Sequence, residues 1–197
     1  MHISEGVLSL PVLVTGAVIA AAGTVQGLKS LSMEAVPKTG IVSAALFVAS
    51  LIHVDLGVSS VHLLLNGIGG MLLGWAIFPA FLVALFLQAI LFQFGGLFVL
   101  GVNVTTMGAS GVAAGFLGRY LLKRTSKPAV AGFVAGACGV AGGALLTAAA
   151  LWATGEYFVA TAKLIIIAHV PIIIIEGIIG SFICPFLYKV MPGIFEE

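Results

Sequence analysis

Long apolar runs, broken by short polar, glycine-rich or charged clusters, dominate this chain. A helix that crosses the hydrocarbon of a bilayer needs roughly 17–25 apolar residues. Seven runs approach that length, at about 8–28, 39–54, 61–77, 79–94, 105–122, 128–153 and 161–188. The second, third and fourth are short, so neighbouring segments must cover their ends. An outer-membrane barrel would instead show brief alternating segments. The pattern predicts an all-α membrane protein of about seven transmembrane helices, with residues 1–197 forming a single integral membrane domain.

Composition narrows the function class. The chain is 61% hydrophobic and 8% charged, where soluble globular chains carry roughly 25% charged residues. A mean hydropathy of +1.26 leaves too few polar side chains to clothe a water-facing surface. A net charge of +1 argues against nucleic acid as a partner. Cys138 and Cys184 lie inside apolar runs with no CxxC spacing and read as small buried hydrophobes. No Gly-Lys pair occurs, so the chain lacks a G-x-x-x-x-G-K-[ST] loop, and any ATP hydrolysis belongs to another polypeptide. With no H-E-x-x-H and no G-x-S-x-G either, an enzyme reading is weak.

Charge then sets orientation. With the N-terminus outside, the inner loops hold Lys29, Lys38, Arg119, Lys123, Arg124, Lys127 and Lys189, and the outer side keeps Lys163 alone. Such asymmetry follows the positive-inside rule, favours an odd number of spans and puts the C-terminus in the cytoplasm of a multi-pass cell-membrane protein. The opening MHISEGVLSL has no basic stretch ahead of its apolar run, so it does not read as a cleavable signal peptide. Three of the four histidines (His2, His53 and His62) then share the outer face.

That face holds the distinctive chemistry. A free Met1 amine, the amide nitrogen of residue 2 and the His2 imidazole lie in series and would close two fused chelate rings on one ion. An all-nitrogen planar set suits nickel or copper before magnesium or calcium, and it works only with nothing ahead of Met1. His62, at the outer start of the third run, is the candidate fourth ligand. His53 and Asp55 would orient a ligand imidazole or stand as solvated loop residues. Asn66, four residues after His62, would brace it through an i,i+4 contact or serve as a structural hydrogen-bonder. Glu5 reads first as a cap on the opening helix, with the chelating peptide as the other partner.

Between the fourth and fifth runs, GGLFVLGVN is too short to cross and reads as a loop dipping back into the protein, tied by Asn103. His169 and Glu176, seven residues apart in the last run, share a helix face; they read as a paired structural anchor loosened by Pro171, or as an intramembrane relay. Glycine pairs four residues apart (Gly111 and Gly115, Gly132 and Gly136, Gly139 and Gly143) predict close helix contact. No internal repeat supports a secondary transporter. A stand-alone channel would need a charged path, and mid-span carboxylates reduce to Glu176.

Three stretches resemble the NikM/CbiM family, the nickel and cobalt substrate-specific membrane subunits of energy-coupling-factor transporters. MHISEGVLS is similar to that family's M-H-I-x-E-G-x-L opening, LQAILFQFGGLFVLGVNVTTMG to its glutamine-containing helix and glycine-rich loop, and AHVPIIIIEGIIG to its A-H-x-P-x-x-x-I-E-G motif. The chain departs from many relatives around the loop histidine, where it reads GVSSVHLLLNG, and in the offset QFGGL. The resemblance implies seven spans, with the N-terminal segment inserted into the membrane core from outside. It also implies square-planar capture of Ni2+ or Co2+ as transported substrate by the Met1 amine, the His2 amide and imidazole, and His62. Partners implied are a transmembrane coupling subunit of the EcfT/NikQ/CbiQ type, ATPase subunits of the NikO/CbiO type and, in some members, a small accessory membrane subunit. No organic cofactor is expected.

Overall fold

The computed structural model describes residues 2–55 and 60–195. Seven helices carry most of the chain: α1 (Leu10–Ser30), α2 (Val36–Ala49), α3 (Asn66–Leu73), α4 (Ile77–Phe92), α5 (Leu100–Thr125), α6 (Pro128–Thr154) and α7 (Val159–Val190). Proline at the first turn of α1, α2 and α6 presets the helical φ where no intrahelical donor is lost. Between α2 and α3 runs a short antiparallel hairpin, β1 (His53–Asp55) with β2 (Ser60–His62), in register His53↔His62 and Asp55↔Ser60.

Five segments are long and apolar enough to cross a bilayer: Leu10–Ser30, Asn66–Phe92, Leu100–Thr125, Pro128–Thr154 and Glu156–Val190. The predicted span at 61–77 is corrected. Its helix is α3, whose eight residues reach only about 12 Å, well short of a hydrocarbon core of roughly 30 Å. Leu65, at φ 51°, starts this helix from a left-handed residue, and Gly74, at φ 54° and ψ −126°, ends it. A 3-10 turn at Gly74–Ala76 then sends the chain back into α4. Asn66–Phe92 is therefore a folded hairpin rather than one straight rod: His62 before it and Gln88 near its end both lie against His2, while its bend lies at Arg119, near the far end of α5.

Glycines explain how α3 fits. All eight of its residues are buried. A Cβ at Gly67 would overlap the backbone of Ala135 in α6, and one at Gly70 the backbone of Gly111 in α5. Gly132 and Gly136 meet the backbones of Gly180 and Glu176 in α7 the same way. The predicted small-residue contacts hold for Gly111, Gly115, Gly132, Gly136 and Gly139. The main core gathers Met71, Ile77, Phe78, Met107, Val140 and Ile172, and a smaller cluster joins Ile3 and Leu8 to Val99, Val102 and Leu151. Outward faces carry Val14, Val18, Leu164, Ile167 and Phe182, as a lipid-facing surface requires.

Candidate metal centre

The N-terminal arm, residues 2–8, precedes α1 and is tied into the bundle. Ile3 donates its N–H to Asn103 Oδ1 (3.0 Å) and receives Asn103 Nδ2 on its carbonyl (3.2 Å). Glu5 donates its N–H to the Gly95 carbonyl (3.2 Å), and its carboxylate accepts from Phe98 N–H (3.1 Å). Ile3 and Leu8 are buried. These contacts tie the arm to α5 and to the loop that precedes it.

They place His2 beside His62. The two imidazole centroids lie 4.7 Å apart with planes inclined by 32°. His2 Nε2 lies 2.8 Å from Gln88 Oε1, a carbonyl oxygen that can only accept. The neutral His2 ring therefore carries its proton on Nε2 and its lone pair on Nδ1. Gln88 is fixed in turn, donating Nε2 to Ser50 Oγ (2.6 Å), whose hydroxyl bonds the Phe47 carbonyl (2.7 Å). At His62, Nδ1 lies 3.1 Å from the Leu63 carbonyl, which assigns the proton to Nδ1 and the lone pair to Nε2. The neighbours select opposite tautomers in the two rings.

Other predicted residues take different places. Met1 lies outside the described residues, as do the side chains of His53 and Asp55, whose backbones pair in the hairpin. Asn66 does not brace His62, because residues 62–65 are not helical and no i,i+4 relation exists. Its amide instead bonds Ser110 Oγ and the Gly139 carbonyl, both at 2.9 Å, joining α3 to α5 and α6. Glu5 does not cap α1, where Ser9 is the N-cap residue; it holds the glycine-rich loop. That loop spans 93–99 because α5 begins at Leu100, and Leu97 and Phe98 face outward, so it does not dip back as expected. Asn103 anchors the arm more than the loop, although a Cβ at Gly95 would touch its amide.

His169 and Glu176 are not a pair. His169 Nδ1 bonds the Ile165 carbonyl one turn back (2.7 Å). The Glu176 carboxylate accepts the N–H groups of Leu64 and Leu65, the latter at 2.9 and 3.0 Å. These bonds hold Leu65 in its left-handed conformation, which costs an unsupported residue roughly 1–2 kcal/mol.

Gln88 and Ser50 are the polar residues that sequence reasoning left without a role. The signal was present: Gln88 is the sole polar side chain in IFPAFLVALFLQAILF, and a polar group inside so apolar a helix is costly unless used. Among the described residues no group of three His, Cys, Asp or Glu side chains could hold a metal.

Known proteins share this architecture. A putative metal transport protein of Haemophilus influenzae is 43% identical over 205 residues, covering all of this chain and 98% of its own length. A putative fused cobalt transport protein CbiMQ of Methanocorpusculum labreanum is 28% identical, over 99% of this chain and 36% of that longer protein. A crystallised transition metal transporter superposes with a TM-score of 0.78 at 25% identity, over 96% of this chain and 93% of the other. Residues 2–194 match CbiM, the cobalt uptake substrate-specific transmembrane region, and the chain belongs to that family.

Proposed function

We propose that this metal-transport chain captures Ni2+ or Co2+, as transported substrate, in a near-planar site of four nitrogens. These are the Met1 α-amine, the deprotonated His2 amide, His2 Nδ1 and His62 Nε2. The observation that carries the reading is the approach of two imidazoles, 60 positions apart in sequence, whose neighbours set their lone pairs on opposite nitrogens. His2 Nδ1 is the nitrogen that closes a six-membered ring with its own amide, and Gln88 selects it.

Distance supports the same reading. An imidazole ligating at about 2 Å puts its centroid about 3 Å from the ion. Two such rings on adjacent corners of a square then stand about 4.3 Å apart, and on opposite corners about 6 Å. The observed 4.7 Å fits adjacent corners. Amine, amide and Nδ1 fill three corners with the amide in the middle, so the vacant corner adjoins Nδ1. The short His2–His62 separation supports His62 as the ligand for that corner. A planar set with an ionised amide favours low-spin Ni2+ while remaining open to Co2+.

The N-terminus lies outside and the C-terminus in the cytoplasm, with the short α3 and α4 entering and returning as a hairpin whose two outer ends flank His2. Support comes from Lys29, Lys123, Arg124 and Lys189, which occupy the last turns of α1, α5 and α7, away from His2. The ion is passed inward by an energy-coupling-factor complex with a transmembrane coupling subunit and separate ATPase subunits. The fused CbiMQ relative supports the first of these partners.

One residue added before Met1, or acetylation of Met1, abolishes nickel binding while helical content and thermal stability stay unchanged; N-terminal sequencing of the purified protein accompanies the titration. Full nickel affinity in the extended chain would overturn the chelate.

A further inference from the structure

We propose that Glu176 is the positioning residue for the metal-binding imidazole of His62, acting through the peptide bond between Leu63 and Leu64. The inference rests on His62 being the fourth ligand. His62 Nδ1 points at the carbonyl of Leu63, and the N–H on the other side of that same peptide, Leu64 N–H, is held by the Glu176 carboxylate. A peptide unit is planar and rigid, so its carbonyl cannot turn without its N–H. The carboxylate in α7 and the imidazole before α3 therefore grip one plate from opposite edges.

Polarisation runs the same way. A carboxylate drawing on the N–H makes the attached carbonyl a better acceptor, which strengthens the bond that keeps the His62 proton on Nδ1 and its lone pair on Nε2. The carboxylate reaches further, to Leu65 N–H, and Leu63 N–H bonds the Ile52 carbonyl at 3.2 Å. Every backbone N–H from 63 to 65 is thus committed, although no helix holds this stretch. Leu65 is left-handed at φ 51°, a conformation that persists only when its surroundings enforce it.

Glu176 is fully buried in the bundle and 111–112 residues from these partners in sequence. Ionisable groups at such depth are retained for a use. Both carboxylate oxygens are spent on the backbone that carries the ligand. A glutamine has one such oxygen and brings an NH2 against the N–H groups.

The test is a double-mutant cycle on the full chain in detergent, read as nickel affinity by competition and as the visible absorption of bound nickel. Glu176→Gln lowers affinity by about 10–100-fold and moves the absorption toward that of His62→Ala. In the His62→Ala background the same substitution changes affinity less than about twofold, because it has no ligand left to misplace. An equal loss in both backgrounds, or no loss in the native one, overturns the positioning role and leaves the four-nitrogen site standing. Unchanged nickel affinity in His62→Ala alone overturns the site reading and this inference with it. Should Glu176→Gln fail to fold, Glu176→Asp, which keeps the charge but shortens the reach, is judged by the same criteria.

Discussion

Asn103 and Ile3 exchange two hydrogen bonds, as neighbouring strands do, across 100 residues of chain. Ile3 N–H belongs to the peptide that follows His2, so the Asn103 side chain fixes the backbone on which the candidate chelate is built. Asn103→Leu keeps the volume and removes both partners. The expected result is a loss of nickel affinity of about 10–100-fold with helical content unchanged. A competition titration beside a circular dichroism spectrum measures it, and full affinity in the variant would show that the arm needs no anchor.

Gln88 is argued to choose the His2 tautomer, and its variants separate that role from simple packing. Gln88→Leu fills the same space but offers no acceptor at His2 Nε2, so the ring proton is free to sit on Nδ1, where it blocks chelation. Gln88→Glu keeps an acceptor. We expect the leucine variant to bind nickel at least about 10-fold more weakly and the glutamate variant to retain most of the affinity. Equal losses in the two would assign Gln88 to packing.

Close backbone approach around α3 predicts a sharp contrast among glycines. Gly67→Ala and Gly70→Ala place a methyl group into the backbones of Ala135 and Gly111. Rigid backbone cannot yield as a side chain can, so each costs about 3 kcal/mol or more. Gly40→Ala, on an exposed face of α2 with nothing nearby, gains up to about 1 kcal/mol from helix propensity. Thermal unfolding in detergent ranks the three, and a tolerant Gly70 would mean that α3 is not wedged between α5 and α6.

Much of this fold could be read from hydropathy, because α1, α5, α6 and α7 are long apolar runs whose ends are marked by proline, glycine or lysine. The α3–α4 hairpin could not. Its turn at Gly74 lies inside GMLLGWAIF, where hydropathy is continuous and only a positive φ reveals the bend. The approach of His2 to His62 agrees with an expectation drawn only from which residue types suit a nitrogen-ligated ion. Glu5 and Glu176 were visible as costly charges, but their acceptor roles involve backbone donors 93 and 111–112 residues away, which no local spacing encodes. The expected pairing of His169 with Glu176 also meets a simple limit: seven residues along a helix amount to about 10.5 Å, beyond direct contact.

The contact between Glu5 and Gly96 separates two reasons why a glycine is required. Gly96 has φ +135°, which L side chains rarely adopt, and a Cβ there would also overlap the Glu5 side chain. Gly96→Ala therefore meets both a backbone penalty and a clash, and the clash pushes on the arm that carries His2. Glu5→Ala alone forfeits the bond from Phe98 N–H, worth about 1 kcal/mol at an exposed site. Combined, the two substitutions remove the clash and leave the backbone strain. We expect the double variant to be more stable than the sum of the single losses predicts, by about 1 kcal/mol or more, and to recover part of the nickel affinity that Gly96→Ala loses. Strict additivity in the unfolding cycle would place the whole cost in the backbone of Gly96. Recovered stability without recovered affinity would mean that the loop, rather than the arm, absorbs the displacement.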